Sequence, residues 1–505
     1  MPTGQGVQST AAGRAVPSLT RAVLAVLALG LGLRLAIAMA VPVLEAESYY
    51  WTWSRQLAWG YFDHPPAVAL LIKAGTLVFG DGGLGLRAGH LILGTLASLM
   101  FWRFCRRHVG PRASLGALAL ASIAPFWMPF GVAATPDGPM LACWVASLLA
   151  FWSALQGQRT APWLLTGLLV GLTTLSKYNG GQLPPVFVLF MLATPRGRAW
   201  LRRPGPWLAL LLAGLVLLPN VLWNLDHNAT TVGMPFKSGF EPEQAGLNLL
   251  KLGALPFLLM TPLVAWAWLR ESLAWWRSPE RWSDERRLLL IVGSWAPMLA
   301  FLAVSILTEV HAHWAASVFV CATPLALRNL DGGSATGPSP AWLRRSLALG
   351  LGWMLTLALA VVLLPTLAGS DWKLARRAAL ELSGWDELTE RIDELRERPD
   401  APLLVSMNFH LVSRMEWLSG GELMGLPLRL DHRHQYRWWL GPELLGRDGL
   451  YVTKAKPDKP VAGIAETLER WFERTEPLPP IMVELGGEPV RRFELVWCEG
   501  LRTLE

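Results

Sequence analysis

Apolar runs recur along the first three-quarters of the chain, each long enough to matter and each broken by a short polar loop. They cover residues 22–44, 84–103, 113–132, 138–155, 161–177, 181–194, 206–224, 247–269, 287–307, 312–327 and 346–367. A bilayer core is crossed by about 20 apolar residues in a helix. The repetition therefore predicts an α-helical polytopic membrane protein with about eleven transmembrane helices. The fifth and sixth runs are short and separated only by Lys177-Tyr178-Asn179-Gly180, which leaves a re-entrant pair as a second reading. The first run has a second reading too, a cleaved signal peptide with small residues from Ala36 to Ala40; Arg34 inside the run argues against it. Beyond Pro365 the pattern changes. Residues 385–398 are charged with helical spacing, while LLVS (403–406) and LYVT (450–453) have the form of short buried strands. The expected organisation is a disordered cytoplasmic tail over 1–21, a membrane domain over 22–368 and a small soluble α/β domain over 369–505.

Composition agrees with the pattern. Hydrophobic residues make up 52% and charged residues 16% of the chain, against about 25% charged in soluble domains. This excludes a disordered chain, a polar solenoid and a disulfide scaffold. Residues 1–369 hold 26 Lys and Arg against 14 Asp and Glu, while residues 370–505 hold 19 against 24. A basic membrane half joined to a mildly acidic soluble part explains the net charge of +7 better than nucleic-acid binding does. Basic loops mark the cytoplasmic side. Arg103 to Arg112, Arg196 to Arg203, Arg270 to Arg287 and Arg328 to Arg345 all fall on one side under the eleven-span count. The C-terminal part then lies outside. The four cysteines form no CxxC or metal pattern.

The other side carries the chemistry. Its first loop, from Leu44 to Pro66, is long and aromatic and holds Glu45, Glu47, Asp63 and His64. Residues 65–80 after it are apolar on one face and suit a helix lying in the membrane interface. The second loop is the tight turn Ala134-Thr135-Pro136-Asp137-Gly138-Pro139. Asp137 has two readings there, a helix cap or a rigidly placed functional carboxylate. Arg87 opens the second span and Lys177 ends the fifth; each either snorkels or binds an anion. His311 and His313 are two apart and share no helix face, so a metal site built on them is weak. The 27 tryptophans lie mostly near span ends, where interface anchoring and sugar stacking are both open readings.

Carboxylates and cations gathered outside suggest sugar transfer from a lipid. The acceptor hydroxyl needs a base, and a departing phosphate needs cations. A secondary transporter is the rival class. It places polar groups near the midplane of two related halves, and no internal repeat is present here.

The ordered stretches EAESYYWTWSRQLAWGYFDHPP (45–66), LGLRAGHLILG (84–94), ATPDGP (134–139), LSKYNG (175–180) and LPNVLWN (218–224) resemble the bacterial glycosyltransferase 39 group. Its relatives are the dolichyl-phosphate-mannose protein mannosyltransferases and the lipid A aminoarabinose transferase. The resemblance implies a GT-C fold, with an interfacial helix pair in the first outer loop and a trans-side soluble domain. It implies inverting transfer of a monosaccharide from a polyprenyl-phosphate donor to a glycan, lipid or protein acceptor. The bacterial inner membrane is the implied location, with the active site outside and no cofactor required. The family's first-loop Asp-Glu pair falls on Ala46 and Glu47, so the Asp is missing. Glu47 is then the expected base, with Glu45, Asp63 and Asp137 as further catalytic carboxylates. Lys177, Arg87, Tyr178 and His64 are the expected donor-phosphate ligands.

Overall fold

The computed structural model describes residues 10–124, 127–227, 244–308, 310–331, 339–367, 380, 382–398, 400–428, 434–485 and 487–504. Two compact units emerge, one from Met1–Ala38 with Gly89–Met354, the other from Met39–Ala88 with Leu355–Glu505. Neither unit is continuous in chain order. The first-loop segment groups with the C-terminal part because its aromatic side chains are buried against that part.

The first unit is helical. Its helices include α1 (Thr10–Ala40), so residues 10–21, expected as irregular tail, are helical. The chain continues through α2 (Glu45–Arg55), α3 (Ala67–Phe79) and α4 (Gly83–His108), the last of which enters the first unit. There follow α5 (Pro111–Ile123), α6 (Asp137–Gln156), α7 (Ala161–Ser176), α8 (Leu183–Ala193), α9 (Pro195–Leu201) and α10 (Pro204–Asp226). Proline opens α5, α7, α8, α9 and α10, where its missing N–H costs nothing. Gly167 lets α7 touch α10, since a Cβ there would come within 2.2 Å of the Ala209 carbonyl oxygen. This is the close approach that small residues provide between membrane helices. Leu165 and Leu172 on α7, and Leu210, Leu211 and Leu215 on α10, stay exposed, as lipid-facing residues do.

Five helices among the described residues are long and apolar enough to cross a membrane alone: Leu19–Ala40, Gly83–His108, Asp137–Gln156, Pro204–Asp226 and Glu285–Ser305. The segments Ala245–Phe257 and Pro262–Arg277 would together make a sixth, bent by 102°. The eleven expected spans are therefore not eleven full-length helices. The fifth and sixth runs become helices of 16 and 11 residues. At 1.5 Å per residue, 16 residues reach about 24 Å, short of a core of about 30 Å.

The second unit holds α2, α3 and a five-stranded sheet in the order β2-β1-β3-β5-β4. The strands are β1 (Leu403–Ser406), β2 (Gly425–Pro427), β3 (Gly449–Ala455), β4 (Phe472–Leu485) and β5 (Glu488–Leu501). LLVS is fully buried as β1 and pairs in parallel with β2 and β3, the latter carrying LYVT. β4 and β5 form a long antiparallel hairpin. Helix Trp385–Arg396 matches the charged helical stretch, while the expected boundary at 368–369 lies outside the described residues. Both expected first-loop helices are present. α2 packs against helix Phe409–Leu418 through Tyr49 on Phe409 (ring centroids 5.0 Å) and Trp51 on Trp417 (5.1 Å).

Candidate active site

Among the described residues, each unit holds one buried carboxylate–cation pair. In the second unit, α2 begins at Glu45, and the Leu44 N–H donates to Glu47 Oε2 at 2.9 Å. Arg87 donates from Nε to Glu47 Oε1 (2.9 Å) and from Nη2 to Oε2 (2.6 Å). Its remaining donors reach the Val41 and Pro42 carbonyls at 2.7 and 2.9 Å. Both side chains are buried, Glu47 at 0% and Arg87 at 2% exposure. Protonating Glu47 would strand that guanidinium, and breaking one side of a buried pair costs about 3–5 kcal/mol. Glu47 is thus held as an anchor for Arg87, which opposes its expected use as the base. By the same geometry Arg87 is spent on protein acceptors rather than presented to a phosphate. Glu45 pairs with Lys454, and Arg414 donates to the Val43 carbonyl.

Asp63 differs. It is half-buried, with the Tyr49 hydroxyl as a polar neighbour. Burial pushes its carboxyl up to about 7, and the nearby Tyr49 hydroxyl holds it back from going further. Tyr49 is fixed in turn by the Gln435 N–H, which donates to its hydroxyl at 2.9 Å. The Gln435 side chain accepts from the Phe62 N–H at 2.8 Å, so one residue clamps both the helix and the YFDHPP turn. His64 lies beside Tyr50 at 6.0 Å between ring centroids.

In the first unit Asp137 and Lys177 meet at 2.7 Å, both about 5% exposed. Asp137 is the first residue of α6, after Pro136 at the cap position, and its carboxylate faces the lysine. His90 reaches the Thr135 carbonyl at 3.1 Å and steadies the turn before it. Lys177 leaves α7 in an extended conformation (φ −158°), and Gly180 folds back so closely that a Cβ would lie 2.5 Å from the Thr173 carbonyl oxygen. Tyr178 then donates to Asn220 Oδ1 at 3.1 Å and accepts from Asn224 Nδ2 at 3.0 Å. Arg34, the cation within the first apolar run, donates to Ser98 at 2.9 Å and is buried. The rings of His311 and His313 stack at 5.8 Å. Among the described residues no three His, Cys, Asp or Glu side chains gather as a metal cage.

Sequence reasoning found both halves of each buried pair but not that they pair. It missed Tyr49, Gln435, Arg414 and Lys454, for which no local signal exists: Gln435 and Tyr49 are 386 residues apart.

Residues 63–223 match the family described as dolichyl-phosphate-mannose-protein mannosyltransferase. Over 285 residues the chain is 29% identical to lipid A galacturonosyltransferase RgtD of Rhizobium johnstonii, covering 56% of this chain and 59% of that protein. Over 185 residues it is 34% identical to the undecaprenyl phosphate-alpha-4-amino-4-deoxy-L-arabinose arabinosyl transferase of Pseudomonas aeruginosa, covering 34% of this chain and 32% of the other. The chain thus spans less than two-thirds of each of these relatives. The crystal structure of ArnT from Cupriavidus metallidurans bound to undecaprenyl phosphate superimposes with a TM-score of 0.62 at 16% identity, covering 96% of this chain and 98% of that one. The expected resemblance is borne out: residues 63–223 match the dolichyl-phosphate-mannose-protein mannosyltransferase family, and the fold is similar to that of ArnT.

Proposed function

We propose that the protein is an integral-membrane glycosyltransferase that moves a monosaccharide from a polyprenyl-phosphate donor to an acceptor hydroxyl. The observation that carries this reading is the buried Asp137–Lys177 pair, set in the segment that matches the mannosyltransferase family. An ammonium has three protons, and Asp137 takes one. The others are available to the phosphate oxygens, whose charge grows as the C1–O bond to phosphate breaks. Such a preorganised cation acts where charge develops. A carboxylate takes the acceptor proton as the new C1–O bond forms with inversion; Asp63 is tested for that role by its own substitution, since a base titrating near the working pH is the effective one. The polyprenyl phosphate leaves as an anion without needing a proton. Glu47 and Glu45 hold Arg87 and Lys454, and no metal or cofactor enters the scheme. One named relative is a lipid A galacturonosyltransferase, which favours a glycolipid of the cell envelope as acceptor. The outer face of the bacterial inner membrane is the proposed place of reaction, with residues 369–505 on that side.

The test is turnover in lipid nanodiscs with a panel of undecaprenyl-phosphate sugars, aminoarabinose and galacturonate included. One donor should be consumed, and Lys177→Ala should abolish its consumption while the protein still folds. A Lys177→Ala variant with unchanged donor affinity and turnover would overturn the assignment.

A further inference from the structure

We infer that Tyr178, Asn220 and Asn224 are positioning residues that aim the Lys177 ammonium, an inference that rests on the phosphate-binding reading of Lys177. Nothing in the chemistry so far uses the LPNVLWN stretch, yet both its asparagines are buried, at 2% and 4% exposure. They stand one turn apart on α10, so both face the same side. Pro219 inside α10 can supply no N–H to the ladder beside Asn220.

The wiring has one direction. Asn224 Nδ2 donates to the Tyr178 hydroxyl at 3.0 Å and to the Asn220 carbonyl at 2.9 Å, with Asn220 Oδ1 a more distant third acceptor at 3.4 Å. The hydroxyl, having accepted, donates its own proton to Asn220 Oδ1 at 3.1 Å. Turning the Asn224 amide over would set its oxygen against the Asn220 carbonyl and leave the hydroxyl without its donor. A tyrosine hydroxyl held by one donor and one acceptor cannot rotate away without losing both.

Tyr178 directly follows Lys177, and the backbone between them is confined on the other side by Gly180 against Thr173. The four-carbon lysine stem is flexible by itself. Its root is therefore fixed twice, by the glycine turn and by the asparagine-held ring. The ammonium stays within reach of Asp137 and of the space a phosphate would take. Misplacing a binding group by about 1 Å can cost about 100-fold in rate, so the network has a kinetic effect without touching the substrate.

The experiment compares Tyr178→Phe, Asn220→Leu and Asn220→Asp in the full-length protein in nanodiscs. Donor and acceptor are titrated separately with the donor identified above. Tyr178→Phe and Asn220→Leu should raise the donor KM tenfold or more, with acceptor KM and melting temperature unchanged. Asn220→Asp keeps the acceptor atom for Tyr178 and should restore donor KM to within about threefold of the parent. Unchanged donor KM in Tyr178→Phe overturns the inference. Parallel loss of donor KM, acceptor KM and thermal stability also overturns it, by assigning the network to the fold alone. If Lys177→Ala is itself fully active, the phosphate reading fails first, and that result is distinct from both.

Discussion

Replacing Glu47 by glutamine separates an anchoring role from a proton-taking one. Glutamine keeps the shape and one carbonyl oxygen, but it removes the negative charge that faces Arg87 across two bonds of 2.9 and 2.6 Å. Arg87 would keep its bonds to the Val41 and Pro42 carbonyls, so the guanidinium stays in place with its charge uncompensated. Removing one partner of a buried pair costs about 3–5 kcal/mol. Replacing both partners by apolar groups of similar volume is often close to neutral. Glu47→Gln and Arg87→Met should each lower thermal stability in detergent by several kcal/mol, and the double variant should recover most of that loss. The assay is a double-mutant cycle on unfolding, read beside donor turnover on the folded fraction. Coupling of about 3 kcal/mol is the expected result. Additive losses, or a Glu47→Gln protein of parental stability with no turnover, would refute the anchoring argument and restore Glu47 as base.

Asp63→Asn should fold and bind donor but lose typically 10²–10⁴-fold in turnover, and the parent's rate should rise with pH through an apparent pKa near 7. The stability sign follows from the same shift. A carboxyl raised to about 7 from its ordinary 3.8 stabilises the fold fully below about pH 4, and that contribution is lost as pH rises towards 7; Asn should remove the slope, measured by melting between those limits. For topology, single cysteines at the exposed positions 202 and 458 of a cysteine-free variant should label from the cytoplasmic and outer sides respectively, and labelling of 458 from the cytoplasm alone would refute the orientation.

The apolar periodicity carried the helical architecture because burial in lipid demands long apolar stretches, whatever the helices later pack against. It overcounted full-length spans for a physical reason. A run such as 181–194 is apolar enough, but the helix there stops at Ala193 after 11 residues. Helix α3 is legible through the apolar face of residues 65–80, whereas α2 is expected only from the family resemblance. What no pattern revealed is that this loop belongs with the sheet-bearing part of the chain. Tyr49 and Phe62 meet Gln435 across more than 370 residues, and a glutamine in a polar stretch announces nothing. In the site, each charged residue was visible as an intramembrane or loop oddity. The choice of partner was not, because Glu47–Arg87 and Asp137–Lys177 are each separated by 40 residues and fixed only by helix packing.

The missing first-loop aspartate now has a structural account. Glu45 and Glu47 flank Ala46 at the start of α2, and a helix turns about 100° per residue. The two glutamates therefore point about 200° apart, one to Lys454 and the other to Arg87. No single register shift could bring Glu45 into the place of an acid at position 46 without releasing Lys454. Once both glutamates are committed to cations, a proton taken by either leaves a cation without its counter-charge. Asp63 carries no such penalty, because its partner is the neutral Tyr49 hydroxyl and its proton affinity is already raised by burial. A chain with alanine at position 46 can retain base chemistry if the YFDHPP turn supplies the carboxylate. Gln435 ties that turn to α2 through its bonds with Phe62 and Tyr49. Gln435→Ala should then depress turnover through Asp63 while leaving the Glu47–Arg87 coupling energy intact, and loss of that coupling in the same variant would show that the two halves of the loop are not held independently.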